Sequence, residues 1–373
     1  MQFTVSSDQL HDALKTAKRG SARSATMPIL EDVLIREKED RVTLRGTDLE
    51  AHVKTSLPVQ MEPTMGLDES VAEATEATLP VDRLTSTLKE LPDMPVEVTI
   101  DTEGKVTLET DQGSYEMQGH QAEDFPDLPE MDPEEEMDAA PLEGALEKVA
   151  FCMSEDALRP AMEGVFLDAE GNAVVATDGH RLSRVQMEVP LNESVIISRA
   201  GVSLMQRVIG EGTTLAIGED RAWVVLRGEG TSVYSRLIDE TYPNYESVIP
   251  DNNDKTLRVN REEMVGATKR TGIYSSSMTN QIRLTLHPDR LTLDAEDVER
   301  SSEAEEKVFC EFNGEEEMEI GFNAEYLETV LSKTVAEEVK MKLSSPNRAG
   351  LVRPVGDEDH LMLLMPVMIN GHG

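Results

Sequence analysis

The chain repeats one pattern three times, and this repeat limits its fold more than any other feature of the sequence. Near the end of each third, an aromatic or apolar residue precedes a proline, in the segments EDFPDLP, ETYPNYESVIP and LLMPVMI. These prolines, Pro126, Pro243 and Pro366, lie roughly 120 residues apart, which suits a whole domain rather than a solenoid repeat. The 373-residue chain is therefore expected to contain three domains of like fold.

Each third also shows the same order of predicted elements. A segment with helical periodicity is followed by alternating strand-like runs, and this order then occurs a second time. The predicted helices are SSDQLHDALKTAKR, PVDRLTSTLKEL, APLEGALEKVAF, ISRAGVSLMQRVI, VNREEMVGATKRTG and FNAEYLETVLSK. The strand-like runs include VLIREKEDRVTLRGTD, GVFLDAEGNAVVATDG and IRLTLHPDRLTLDAED, each broken by a polar turn. The pattern predicts an α+β fold in which each domain packs two helices on antiparallel β-sheets.

Changes in composition indicate where the domains meet. The acidic, proline-containing run PEMDPEEEMDAAP predicts a solvated linker at 129–141, and PDNNDK marks a second boundary near residue 250. The expected domains are therefore 1–128, 142–250 and 251–373.

The stretch VVATDGHRLSR has the residue types of a functional site. Alignment of the thirds places Thr177 and Asp178 opposite Thr47 and Asp48, so the acidic residue belongs to the shared scaffold. An Asp-Gly pair between strands favours a tight turn, because glycine tolerates a positive φ. A general-base pair of Asp178 and His180 is disfavoured, because neighbours on a strand point to opposite faces and no nucleophile is indicated nearby. A satisfied turn and a binding pocket both remain open.

Net charge restricts any nucleic-acid role. With 73 acidic and 35 basic residues the formal charge is −38, which repels nucleic acid unless cations gather on one face. If the helices of all three repeats line one concave side, their cations can hold a duplex by its phosphates without reading sequence. Otherwise they only solvate the helix faces. The candidate cations are Lys15, Lys18, Arg19, Arg23, Arg83, Lys89, Lys148, Arg159, Arg199, Arg207, Lys269, Arg270 and Lys333.

Several function classes find no support in the sequence. The seven histidines show no metal-ligand spacing, and no phosphate-binding loop is present, so no metal or cofactor is expected. Cys152 and Cys310 stand far apart and are expected to be buried small hydrophobes. The sequence shows no apolar run of membrane-spanning length and no signal peptide, which predicts a cytoplasmic protein. The acid excess also suits a salty cytoplasm.

The segments MQFTV, MPIL, GTDLE, ATDGHRL, YPNY, IGFNAEYL and MPVMI together make the chain resemble the bacterial sliding clamps, the beta subunits of DNA polymerase III. The resemblance spans essentially the whole chain. It implies a DNA clamp fold, in which three domains form a crescent and two crescents close into a homodimeric ring around double-stranded DNA. The implied protein is a processivity factor without catalysis, opened by an ATP-dependent clamp loader. The alternative is a repeat-built adaptor or enzyme without a DNA role.

The resemblance also implies a hydrophobic pocket where short linear motifs of polymerases, the loader and repair proteins dock. Its residues would be Met162, Thr177, Gly179, His180, Arg181, Leu182, Pro243, Val248, Asn323, Tyr326, Leu363, Leu364, Met365, Pro366, Val367 and Met368. The protomer contact would include Ile273 and Tyr274. Three residues depart from the pattern of the family, so the resemblance does not determine the pocket's charge and depth; they are Met162, Ser247 and Thr279. The acidic insertion at 62–77 and the extension at 370–373 have no implied role.

Overall fold

The computed structural model describes residues 1–22, 26–63 and 67–369. These residues form seven α-helices: α1 (Ser7–Lys18), α2 (Glu69–Glu73), α3 (Val81–Glu90), α4 (Leu142–Val149), α5 (Arg199–Met205), α6 (Arg261–Gly272) and α7 (Ala324–Ser332). Six of them coincide with the six predicted helices, whereas the short α2 lies within the acidic insertion and was not predicted.

Two antiparallel sheets are built mainly from the first third of the chain. The labels follow chain order. The first sheet has the order β5 (Gln60–Met61), β1 (Gln2–Ser6), β7 (Pro95–Ile100), β8 (Lys105–Thr110) and β9 (Gly113–Gln118). The second has the order β10 (Pro133–Asp138), β15 (Thr214–Gly218), β16 (Trp223–Arg227), β17 (Thr231–Arg236), β4 (Ala51–Pro58), β3 (Arg41–Thr47), β2 (Val33–Lys38) and β6 (Glu76–Leu79).

A third antiparallel sheet contains twelve strands. Its order is β14 (Val195–Ser198), β11 (Gly164–Asp168), β12 (Ala173–Thr177), β13 (Arg181–Gln186), β25 (His360–Leu364), β24 (Gly350–Pro354), β23 (Glu338–Leu343), β18 (Lys255–Asn260), β21 (Ser302–Phe312), β20 (Arg290–Asp297), β19 (Gln281–His287) and β22 (Met318–Asn323). The predicted order of helix, strands, helix and strands is present in each third, but a strand that was not predicted, β1, β10 or β18, precedes the first helix.

The chain divides into two compact units. The first contains Met1–Glu143 and Ala200–Leu237, and the second contains Gly144–Arg199 and the residues from Ile238 onward. The middle third therefore contributes to both units. Its β17 pairs with β4 of the first third, and its β13 pairs with β25 of the last.

The acidic segment predicted as a solvated linker at 129–141 is in part a strand, which corrects that expectation. Pro133–Asp138 forms β10 and pairs with β15. The side chains of Glu135 and Met137 are buried, and Glu135 forms an ion pair with Arg221 at 2.8 Å. The composition is that of a linker, but alternate residues face the protein interior, as in a strand with one buried face.

The helices pack on the sheets through apolar stripes. In the first unit, leucines of α1 and α3, such as Leu14 and Leu88, share one core with Val42 and Leu44 of β3. Burying one such leucine contributes about 2 kcal/mol. In the second unit α6 and α7 bury residues such as Leu327 in the core of the last third. The basic residues of these helices therefore lie on their polar faces.

Among the described residues, no helix is both long and apolar enough to cross a membrane. In the same part of the chain, no group of three His, Cys, Asp or Glu residues could hold a metal ion. Cys152 is buried as predicted, and burial raises the pKa of its thiol. Cys310 is only half-buried, because its strand has one face toward solvent; burial raises the pKa of its thiol to about 11.

Candidate peptide-binding site and cationic helix faces

The turn between β12 and β13 is held together by its own threonine and aspartate. The Thr177 hydroxyl donates to the carbonyl of Arg181 at 2.7 Å and accepts from the N–H of Gly179 at 3.1 Å. Oδ1 of Asp178 accepts from the N–H groups of His180 at 2.8 Å and Arg181 at 2.6 Å. Gly179 has a φ of +85°, the left-handed conformation that favours glycine. The predicted tight turn is confirmed.

The equivalent turn between β3 and β4 has the same hydrogen bonds. The Thr47 hydroxyl donates to the carbonyl of Ala51 at 2.8 Å, and Oδ1 of Asp48 accepts from the N–H groups of Glu50 at 3.1 Å and Ala51 at 2.8 Å. Leu49 takes the place of Gly179, with a φ of 80°. Asp178 is therefore a scaffold residue, as the alignment predicted.

Side chains peculiar to the second turn contact the last third of the chain. Nε and Nη2 of Arg181 lie 3.0 and 2.8 Å from Oδ2 of Asp178. The guanidinium of Arg181 lies over the Tyr326 ring, 4.3 Å from its centroid, and 5.9 Å from the Phe151 ring centroid. The His180 ring is stacked with Tyr326 at 5.8 Å. Arg181 thus contacts both the carboxylate of the turn and the aromatic wall, which is formed by the rings of Tyr326 and Phe151.

The start of α7 positions this aromatic wall. The side chain of Asn323 caps the helix by accepting from the N–H of Tyr326 at 3.1 Å. The cap fixes the first turn of α7, where the Tyr326 ring meets His180 and Arg181. Asn323 therefore supports the site through helix geometry, and its side chain is half-buried.

The segment after β25 runs along both halves of the site. The N–H of Met365 donates to the carbonyl of His180 at 2.9 Å, and that of Val367 donates to the carbonyl of Gly321 at 2.9 Å. A Cβ added to Gly321 would lie 2.7 Å from the Val367 carbonyl oxygen, so glycine is what permits this approach. Met365 and Met368 remain 40% and 86% exposed. Met365 is thus held beside His180, and both methionines keep surface free for a partner.

Four of the predicted pocket residues are buried. They are Thr177, Leu182, Leu363 and Leu364. Leu182 and Leu363 face each other across β13 and β25 and pack in one cluster with Tyr242 and Tyr245. Leu364 belongs instead to the core of the last third. Because successive strand residues point to opposite faces, Leu363 supports the tyrosine loop while Leu364 faces away from it.

The other predicted pocket residues keep accessible surface. Met162, Arg181, Asn323, Tyr326, Pro366 and Val367 are half-buried, and Gly179, His180, Pro243, Val248, Met365 and Met368 are exposed. The loop that carries Pro243 and Val248 is anchored by the Tyr245 hydroxyl, which donates to Oδ2 of the buried Asp168 at 2.6 Å. Burial, followed by that contact, raises the pKa of Tyr245. The exposed apolar side chains therefore sit on a fixed loop.

A cavity of about 380 Å³ opens beside His180, Arg181 and Tyr326. Its other lining residues are Phe151, Met153, Ser154, Glu155, Asp156, Arg159, Asp178 and Arg199. Sequence reasoning missed Phe151 and Met153, although Phe151 is the last residue of the predicted third helix and Met153 lies two residues beyond it. The apolar residues at the C-terminal end of that helix were the signal that could have identified them.

Two arginines predicted to contact DNA lie at this cavity instead of on an exposed helix face. Nη2 of Arg199 donates to the carbonyls of Met153 at 2.8 Å and Ser154 at 2.9 Å. Nε of Arg159 lies 3.3 Å from Oδ2 of Asp156. Their positive charge is committed to the cavity walls, which weakens their assignment to DNA.

The remaining helix cations divide into paired and unpaired groups; Arg23 lies outside the described residues. Lys18 pairs with Asp82, Lys148 with Asp357, Lys269 with Glu328, and Arg270 with Glu306. Within the described residues no ion pair is found for Lys15, Arg19, Arg83, Lys89, Arg207 and Lys333. Four of these six lie on α1 and α3 or directly after α1. The first unit therefore has the most available cations.

The predicted protomer contact lies at the end of α6. Ile273 is 77% and Tyr274 is 43% exposed, and Met278 nearby is 85% exposed. Large apolar side chains at this exposure form a candidate contact surface.

Comparison with known proteins relates the whole chain to one family. Family models of the DNA polymerase III beta subunit match residues 1–129 with the N-terminal domain, 136–244 with the central domain and 246–368 with the C-terminal domain. The beta sliding clamp of Pseudomonas putida is 30% identical, with 99% of this chain and 100% of the relative covered. That of Vibrio cholerae is 27% identical over the same shares.

Solved structures agree with the sequence comparison. The crystal structure of a DNA polymerase sliding clamp from Pseudomonas aeruginosa matches with a TM-score of 0.89 at 28% identity, covering 99% of this chain and 100% of that one. A Bartonella birtlesii sliding clamp bound to griselimycin matches with the same TM-score, identity and coverage.

Proposed function

Because the chain belongs to the DNA polymerase III beta subunit family and is a processivity clamp for a DNA polymerase, we propose that two copies close into a ring around duplex DNA. The observation that carries the proposal is the cationic surface of α1 and α3. Lys15, Arg83 and Lys89 are exposed there without an ion pair in the described residues, in a chain of net charge −38. Such contacts hold phosphates without reading bases.

A ring suits a clamp with few available cations. Phosphate contacts lose affinity steeply as salt rises, whereas a closed ring holds DNA by topology. Weak contacts then permit sliding, and the acidic remainder of the surface discourages binding elsewhere. The clamp needs no chemistry of its own for this role, which we place in the cytoplasm.

Two strand edges and one apolar surface support the dimer. In the described residues β9 pairs only with β8, and the Ser302–Phe309 part of β21 pairs only with β20. Unpaired edges of this kind accept a strand from a second copy. Ile273 and Tyr274 supply apolar area directly after α6, whose Arg270 pairs with Glu306 on the second edge.

The peptide site fits short extended motifs of the polymerase, the clamp loader and repair proteins. Exposed Pro243, Val248 and Met365 offer an apolar wall, and His180 with Tyr326 offers an aromatic one. Methionines adapt to different partner side chains, which suits a site shared by several proteins.

Retention on circular DNA tests the ring. After loading on a nicked circle, the protein should remain bound in high salt and be released when the circle is linearised. A linear DNA with blocked ends is the matched control and should retain it. Equal retention on open linear and circular DNA would contradict topological binding.

A further inference from the structure

One face of the eight-stranded sheet gathers cations although the chain is strongly acidic. Val42 and Leu44 of β3 face the core with α1, so Arg45, the residue after Leu44, points to the opposite side of the sheet. There Arg45 stands directly opposite Lys54 of β4. A cavity of about 490 Å³ on this side is lined by both residues together with Arg36 and Lys38.

Internal ion pairing does not account for this cluster. Like charges directly opposite on neighbouring strands are destabilising. Burial, then Lys38, Arg45 and Arg36, lower the pKa of Lys54. Arg36 is paired with Glu76, but for Lys38 and Lys54 no ion pair is found within the described residues. In a chain with 73 acidic residues to 35 basic ones, two unpaired lysines beside two arginines suit an external anion.

Aromatic residues continue the same face. Tyr234 of β17 lies opposite His52, two residues along β4 from Lys54 and therefore about 7 Å from it along the strand. Trp223 of β16 is the only tryptophan of the chain, and its ring centroid lies 5.5 Å from that of His52. Both Tyr234 and Trp223 are half-buried, so part of each ring can be reached.

We propose that this face binds a single-stranded nucleic acid. Cations that track a backbone, beside aromatic rings that stack on bases, are the features of sequence-tolerant single-strand sites. Arg36, Lys38 and Lys54 contact phosphates, and Tyr234 and Trp223 stack on bases. Arg45 forms the base of the cavity, where it is held in place because its Nη2 donates to the Pro126 carbonyl at 2.6 Å. The face is opposite to the one that packs on α1, so it is separate from the proposed duplex contact.

Two carboxylates that follow Pro126 oppose a bound phosphate and so lower the affinity. They are Asp127 and Glu130, which line the cavity. The segment after Pro126 therefore competes with the ligand, and removing its charge should strengthen binding.

Tryptophan fluorescence tests the proposal with the full-length protein. A 12-nucleotide oligothymidylate, titrated at about 50 mM KCl, should quench Trp223 saturably. The logarithm of affinity should fall with that of KCl concentration with a slope of about −2, as expected for about three single-strand phosphates. The double variant Lys38→Glu, Lys54→Glu should lower affinity at least ~10-fold, and Asp127→Asn, Glu130→Gln should raise it.

Lys340→Glu, Lys342→Glu is the matched control, because both lysines are exposed on β23 and the charge change is the same. Its affinity should equal that of the unaltered protein. Absence of saturable quenching, or an equal loss in both double variants, overturns the proposal. Equal binding of a 12-base-pair duplex overturns the single-strand assignment. If polyglutamate displaces the oligothymidylate as effectively as unlabelled oligothymidylate does, the face binds an acidic peptide, and the nucleic-acid proposal is overturned as well.

Discussion

The turns at Thr47–Ala51 and Thr177–Arg181 share their hydrogen bonds but differ in what surrounds them. In both, the threonine hydroxyl donates to a carbonyl four residues on, and the aspartate accepts two backbone N–H groups. Only the second turn places side chains against Tyr326. The repeated residues thus build the scaffold, and the proposed partner site lies at the positions that the scaffold does not need.

The strands that follow the two turns differ as well. His52 and Leu182 occupy equivalent positions, and both are buried, at 3% and 1% exposure. Leu182 packs in an apolar cluster with Tyr242 and Leu363. Nδ1 of His52 has no hydrogen-bond partner in the described residues. The first domain therefore keeps a polar group where the second has a well-packed apolar one, and this difference can be measured.

Removing the turn aspartates should give the largest difference. Asp178→Ala loses two backbone contacts and the Arg181 pair, so the free energy of unfolding should fall by about 3 kcal/mol. Asp48→Ala loses only two contacts at an exposed carboxylate and should cost about 1.5 kcal/mol. Hydrogen exchange of the amides in β12 and β13, against those in β3 and β4, measures both. Asp178→Asn should lie between them; identical losses would refute a special role for Arg181.

Acid should destabilise the first unit through His52. Burial, followed by Arg45, lowers the pKa of His52 to about 4, below the value of about 6.5 expected in the unfolded chain. The unfolded state therefore binds the proton first, and stability falls as pH drops from about 6.5 to about 4, by up to about 3 kcal/mol. His52→Leu should remove this dependence, with unfolding followed by the fluorescence of Trp223.

His360 provides the control for that experiment. It is buried in the second unit, where Nε2 lies 3.0 Å from the Ser183 hydroxyl, and burial lowers its pKa to about 4. His360→Leu should leave the Trp223 transition of the first unit unchanged. If His52→Leu retains the full pH dependence, another group carries it.

The sequence predicted what is encoded locally. Helical periodicity located six helices, and the aligned Thr-Asp pairs located both turns. Long-range pairing was not predictable, so the division of the middle third between two sheets was missed. The strand at Pro133–Asp138 was missed because carboxylates dominate its composition, although Glu135 and Met137 alternate inward. Phe151 and Met153 reach the cavity only through tertiary packing.

The peptide site should respond to the residues that differ between the turns. His180→Ala with Met365→Ala removes one aromatic ring and one exposed methionine, and should weaken binding of a polymerase tail peptide about 10-fold, or about 1.4 kcal/mol. Glu50→Ala, at the position equivalent to His180, should not change it. Fluorescence anisotropy measures the affinity, and sedimentation should show the same oligomeric state as that of the unaltered protein. Unchanged affinity in the double variant would refute the site.

The smallest effect concerns the left-handed residue of each turn. Leu49 has a φ of 80°, which costs a side chain about 1–2 kcal/mol, whereas glycine adds unfolded-state entropy worth about 0.5–1 kcal/mol. Leu49→Gly should therefore stabilise by about 0.5 kcal/mol. Gly179→Ala should destabilise by about 1 kcal/mol, since the new Cβ would also lie 2.9 Å from Nη1 of Arg159. Urea unfolding gives the sign of the change in the free energy of unfolding for each variant. If Leu49→Gly also destabilises the protein, the entropy cost of glycine outweighs the strain at Leu49.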